Sequence, residues 1–232
     1  MRKNYKYVGL IIIILVFGII FIPKIVDRLA NDTAVQDNRS LPAKPLAYIK
    51  LDGEAKRVPD FLMYNQDSLL ISNEDYLGKV YVAEFFFSRC PTICPIMNRN
   101  MKILDDRFWK RQDFGIASFT IDPAHDTPLI LKEYSQRYKV KSQNWHFLND
   151  EKDQIYKLAN SGFSIFASIN PEVAGGFEHQ GYFALIDKKG YIRSRLDRFD
   201  NPIVYYLGID REDQDIQGVE MLLEDIELLL KE

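Results

Sequence analysis

Cys90 and Cys94 are the only two cysteines among 232 residues, and they stand in FFFSRCPTICPIMNRNM. The i, i+4 spacing can bring both sulfurs to one side of a turn. Pro95 suits the first turn of a helix, where a missing N–H costs nothing. The pair is therefore expected where a strand hands over to a helix, with neighbouring peptide N–H groups and the helix dipole stabilising thiolates. Arg89 adds positive charge beside Cys90. Thiolates attack disulfides and also hold soft metal ions such as Cu(I). The spacing signals redox or metal chemistry and does not choose between them. The plain alternative is two buried thiols that happen to be close.

Of the three histidines, His179 is the strongest candidate for a third donor. Gly175 and Gly176 upstream read as a mobile loop and the strand GYFALI follows, an arrangement that would let the imidazole swing toward the sulfurs. Two thiols and an imidazole make a soft, three-donor set suited to copper, although zinc takes the same ligand types. His125 falls in a turn and reads as a surface residue; His146, beside Trp145, reads as structural. Glu84 sits in the apolar run VYVAEFFF, six residues before Cys90. A carboxylate buried there would have a raised pKa and could accept or donate a proton. An edge position or a buried basic partner would explain it as well.

The elements that must position these residues follow from the pattern. The domain is expected to begin near Tyr48, with a short hairpin turned at Asp52-Gly53. A small strand at QDSLLIS and a helical turn at NEDYLGK come next. Val80–Phe87 is a central strand by its run of β-formers. Met97, Met101, Leu104 and Phe108 mark the buried face of the helix opened by Pro95. A strand at FGIASFTI, a helix from Pro128 capped by Asp126 or Thr127, a short strand at HFL and a helix over residues 150–161 continue the alternation. GYFALIDKKGYIRSRL is a hairpin turned at Lys189-Gly190. The last helix is amphipathic through Val219, Leu222, Leu223, Ile226, Leu229 and Leu230. This is an α/β order of thioredoxin-like type, a central mixed β-sheet flanked by helices.

Composition sets outer limits. With 47% hydrophobic and 27% charged residues the chain is a folded protein, not disordered, collagenous or polytopic. A net charge of −3 makes nucleic acid an unlikely ligand. The charge is unevenly spread. Residues 8–23 (VGLIIIILVFGIIFIP) carry none, Arg2, Lys3 and Lys6 precede them, and Lys24 and Arg28 follow. The run is at the short end of a membrane-spanning helix and lacks a small-x-small cleavage site, so it reads as an uncleaved signal anchor. Basic residues at the extreme N-terminus place that end in the cytoplasm and the rest outside. The expected organisation is a tip and anchor over residues 1–29, a polar linker over 30–47 and an acidic domain over 48–232. An exported cysteine pair meets oxidising conditions and oxidises unless it is reduced again or bound to metal.

The segments FFFSRCPTICPIM, FTIDPAHDTPLILKEYSQRY, WHFLND and FEHQGYFALIDKKGYIR together resemble the Sco/SenC family, from about Pro59 to the last helix. The carrying motifs are a CxxxC with proline after both cysteines, a TIDPxxDTP segment and a distal histidine just before a strand. The resemblance implies a thioredoxin-like, membrane-anchored protein that delivers copper to cytochrome c oxidase, with subunit II as the recipient. It implies copper, Cu(I) or Cu(II), on Cys90, Cys94 and His179. It implies a bacterial inner-membrane location with the domain facing the periplasm or exterior, and exchange with another copper chaperone or a thioredoxin-like reductant. Asp122, in TIDP, is similar to the family's aspartate near the cysteine loop, where it would orient a ligand or attract a partner, or simply cap the turn before Pro123. Thioredoxins place a buried acid at the offset of Glu84, where it assists proton transfer. Thr92 departs from the aspartate common between the family's cysteines. Residues 195–215 fit loosely, and Tyr205-Tyr206 read there as a partner surface. Three functions follow: a copper chaperone, which needs His179; a thiol–disulfide reductase for the oxidase's cysteines, which needs only the redox pair Cys90 and Cys94; and a peroxiredoxin-like peroxidase.

Overall fold

The computed structural model describes residues 14–19, 21–22, 45–212 and 216–232. The chain divides into two compact units, Met1–Ala43 and Lys44–Glu232. In the first, residues 14–19 and 21–22 are helical. Half of the expected apolar run, residues 8–23, lies outside the described residues, as does the linker up to residue 44. Among the described residues no helix is long and apolar enough to cross a membrane.

The second unit starts with short strands β1 (Ala47–Tyr48), β2 (Lys50–Leu51) and β3 (Glu54–Ala55). Asp52 and Gly53 join β2 to β3 with φ of 52° and 87°, the left-handed pair that a two-residue hairpin turn requires. β4 (Leu62–Tyr64) and β5 (Leu70–Ser72) form a second hairpin, and a 3₁₀ turn at Asn73–Tyr76 leads to β6 (Val80–Phe86). There follow α1 (Cys94–Phe108), β7 (Phe114–Thr120), α2 (Pro128–Arg137), β8 (Trp145–Leu148) and α3 (Lys152–Lys157). After these come β9 (Ala167–Ile169), β10 (Phe177–His179), β11 (Tyr182–Ile186), β12 (Ile192–Ser194), β13 (Tyr206–Leu207) and α4 (Gly218–Lys231).

The main sheet runs β1-β12-β11-β6-β7-β8, with β13 also on β11. β6, β7 and β8 are parallel and β11, β12 and β1 antiparallel. Every residue of β6 and β7 is buried, as expected of parallel strands covered on both faces. α1 turns Met97, Met101, Leu104 and Phe108 inward and packs against α4, which buries Val219, Leu222, Ile226 and Leu229. The thioredoxin-like order read from the pattern is thus the observed one.

Four local expectations change. The helix over 150–161 is a short α3 that widens into a π-turn at Leu158–Phe163 and ends at Ser164 with φ 56°. Thr127 alone caps α2, its hydroxyl accepting from Ile130 N–H; Asp126 is buried and does other work. Residues 175–176 are the turn of the β9–β10 hairpin, both with positive φ. Tyr206 is fully buried and donates to Asp225, while the Tyr205 hydroxyl donates to the Phe163 carbonyl. The tyrosine pair therefore stabilises the fold; a partner surface would have left both side chains exposed.

Candidate metal centre

The end of β6 is where the sheet releases the chain into the cysteine turn. Cys90 N–H donates to the Phe87 carbonyl (3.2 Å), and Cys94 N–H, at the start of α1, donates to Cys90 Sγ (3.4 Å). The Thr92 hydroxyl lies 3.7 Å from the same sulfur. A sulfur facing helix-start N–H groups is stabilised as its anion. The Cys90 thiol is accordingly lowered to about 3, first by the hydrogen bond from the Cys94 side chain, then by His179 and the Cys94 and Thr92 backbone. Burial raises both thiols and is outweighed at Cys90, whereas Cys94 is pushed far up by desolvation, then by the hydrogen bond to Cys90 and by its charge. The pair is polarised, Cys90 the more acidic thiol and Cys94 the less, and both are free rather than bridged.

The β9–β10 hairpin brings the third donor. His179 Nε2 lies 3.2 Å from Cys94 Sγ, and Nδ1 faces the Gln180 carbonyl at 3.2 Å. A carbonyl only accepts, so Nδ1 carries a proton there and the ring turns Nε2 to the sulfurs. The donor atoms of Cys90, Cys94 and His179 all lie within 4.8 Å of one another. The imidazole is already beside the thiols, so no swing is needed to assemble the group.

The remaining candidates separate. Asp122 is buried and ion-paired with Arg89 (2.6 Å). It anchors the segment beside Cys90 and stands outside the donor group. Arg89 is engaged in this pair and is half exposed, so its charge is screened. Glu84 is fully buried, opposite Ser118 in the β6–β7 register. Ser118 Oγ donates to Glu84 Oε1 (2.7 Å) and accepts from Trp145 Nε1 (3.0 Å), while Oε2 has no partner. Burial raises this carboxyl to about 7, with the Ser118 bond opposing. Its charge reaches Cys94, where it disfavours the thiolate. His146 bonds Asn65 (3.2 Å), the structural role expected, and His125 is half-buried in the turn after Asp122.

Asp126 was missed as part of the site's scaffold. It accepts from Ser88 N–H (2.9 Å), the Ser88 hydroxyl and Thr120 Oγ1 (2.5 Å), binding the TIDPxxD turn to the residues just before Cys90. An aspartate followed by Thr-Pro reads as a helix cap, and only the fold shows three donors converging on it. A cleft of about 600 Å³, lined by Pro59, Asp60, Leu62, Glu151, Gln154 and Lys157 among others, contains none of the donors.

A thioredoxin-like domain with two thiols and an imidazole gathered at the start of its first helix belongs to the class built for soft-metal or thiol–disulfide chemistry. The chain belongs to the SCO1/SenC family, which it matches over residues 50–212. It is 32% identical to the SCO1 protein homolog of Bacillus subtilis over 146 residues, 62% of this chain and 75% of that protein. Among solved structures it resembles BsSco, a member of the Sco family of cytochrome c oxidase assembly proteins in which a disulfide switch has been identified. That likeness has a TM-score of 0.60 at 27% identity, covering 76% of this chain and 94% of BsSco. Yeast Sco1, solved with copper bound, shares the fold at a TM-score of 0.54 and 22% identity, over 74% of this chain and 89% of that one.

Proposed function

We propose that this protein binds copper through Cys90, Cys94 and His179 and delivers it to cytochrome c oxidase during assembly, with subunit II as the recipient. The observation that carries the reading is the convergence of two sulfurs and one imidazole nitrogen within 4.8 Å. Three soft donors suit Cu(I), which accepts two or three ligands, better than zinc, which ordinarily takes four. Copper is the cargo. The Cys90 thiolate engages the ion first, Cys94 gives up its proton, and the Nε2 lone pair supplies the third donor.

A second reading is favoured by the same pair. A thiolate beside a protonated thiol is the arrangement of a disulfide reductant, attacking with Cys90 and resolving with Cys94. Glu84, its carboxyl raised to about 7, would then exchange a proton with Cys94, and Asp122 would fix the cysteine segment through Arg89. The two activities are compatible, metal binding by the reduced pair and exchange otherwise. The peroxidase reading needs one cysteine alone and leaves His179 unused. The apolar run over residues 8–23 supports a single anchor in the bacterial inner membrane, with a linker to residue 47 and the domain from 48 outside the cytoplasm.

Copper content of the reduced protein, wild type against His179→Ala, tests the proposal. About one ion per chain is expected, with His179→Ala weakening Cu(II) far more than Cu(I), since two thiolates still hold Cu(I). Equal affinity in both proteins for both oxidation states would overturn the metal reading and leave the reductase in its place.

A further inference from the structure

We infer that Phe87 is a positioning residue that seats all three donors, its ring holding the His179 side of the site. The inference rests on the copper reading above and adds a residue that the donor chemistry alone does not reveal. Phe87 directly follows β6 and is 1% exposed. Its carbonyl accepts from Cys90 N–H, and its own N–H favours the Cys94 thiolate. The residue's backbone thereby ties the end of the central strand to the cysteine loop.

The ring does the rest. It meets the His179 imidazole edge to face, with centroids 6.0 Å apart at 79°, and packs on Phe177 of the same hairpin strand at 5.2 Å. Edge-to-face pairing sets a positive ring edge against a negative face, so it prefers one orientation of the imidazole. The hairpin turn lies on the same ring. Gly175 has φ +90°, and a Cβ there would come within 2.9 Å of Phe87 Cε2 and 3.2 Å of Pro91 Cδ. Gly175 is required twice over, by its backbone conformation and by this close approach to the cysteine loop. The hairpin thus rests on Phe87 at three points: Gly175, Phe177 and His179. With Nδ1 bonded to the Gln180 carbonyl, the ring contact fixes the remaining freedom of the imidazole, as outer contacts orient metal-binding histidines generally.

The test measures Cu(I) and Cu(II) affinity by competition, and the visible and EPR spectra of the Cu(II) form, in the reduced full chain. Phe87→Leu keeps apolar volume but removes the ring face; it should lose about tenfold to a hundredfold in Cu(II) affinity with altered spectra. Cu(I), held by the sulfurs, should stay within about threefold of wild type. Gly175→Ala, which presses on the ring from the hairpin, should alter the spectra the same way, and decides the matter alone where Phe87→Leu does not fold. Phe85→Leu, two residues earlier and packed on Phe119 and Phe163, should lose stability yet keep the wild-type spectra. His179→Ala is measured alongside: if it leaves Cu(II) binding intact, the copper reading itself falls. If His179 matters but Phe87→Leu and Gly175→Ala give wild-type spectra and affinities, the positioning role is overturned. Altered spectra in Phe85→Leu to the same degree would overturn it too, because the effect would then be general loosening of the core.

Discussion

Two buried polar clusters in this domain are built on opposite plans. In one, Arg195 on the chain leaving β12 donates twice to Asp225 (2.8 Å each) and once to Glu224, while the Tyr206 hydroxyl donates to Asp225 (2.7 Å). Burial alone would lower the arginine, but Asp225 and Glu224 outweigh it and hold the guanidinium above its ordinary value. The buried Asp225 carboxylate has a cation beside it and both its oxygens in use; such a cluster locks α4 to the sheet. In the other, Cys90 is an acidic thiol, Cys94 a shielded one, and His179 Nε2 faces them. Nearby, Glu84 Oε2 is buried with no partner. Satisfied polar groups inside a protein stabilise it; groups left with bonding capacity are available for a guest.

The sharpest way to break this contrast is to remove a sulfur. Cys90→Ser or Cys94→Ser leaves one thiolate and an imidazole, a poor soft-metal set, so copper binding should fall by orders of magnitude while urea unfolding hardly changes. A large loss of stability would make the cysteines part of the scaffold. The converse experiment is Arg195→Met. It leaves the buried Asp225 carboxylate without its cation and should cost about 3–5 kcal/mol of stability, with Cu(I) affinity unchanged by competition titration. A change in copper affinity there would mean the clusters are coupled.

The smallest effect concerns Glu84. Its carboxyl is raised in the fold to about 7, from the ordinary value of 4.5. The native state therefore holds a proton that the unfolded chain releases between those values. The contribution of Glu84 to stability should be fullest below pH about 4.5 and decline by up to about a few kcal/mol as pH rises through about 7. Glu84→Gln should flatten that part of the profile. An unchanged profile would mean the carboxyl is not buried in its acid form.

The chemistry-bearing residues were legible because spacing and type announce them. The only two cysteines flank a strand-to-helix junction, and the order of strands and helices needs only periodicity and turn residues such as Asp52-Gly53 and Gly190. What the sequence hid depends on which segments meet. Asp126 looks like a cap until Ser88 and Thr120 are seen beside it. Tyr206 looks like surface until Asp225, on a helix 19 residues later, reaches its hydroxyl. Arg89 looks like a partner for the thiolate until Asp122 takes it. Phe87 is one of three consecutive phenylalanines, and no local pattern separates the ring under His179 from the two that only fill the core.

The distance along the chain between Cys94 and His179 has its own consequence. These two donors are 85 residues apart in sequence, and the β9–β10 hairpin is otherwise joined to the cysteine turn by packing alone. An ion gripped by both acts as a removable cross-link across a long stretch of polypeptide, whose closure entropy is largely independent of local detail. Because the ion prefers the folded arrangement, its binding free energy reappears as resistance to unfolding. With copper held as proposed, the loaded protein would be harder to open and to digest than the empty one.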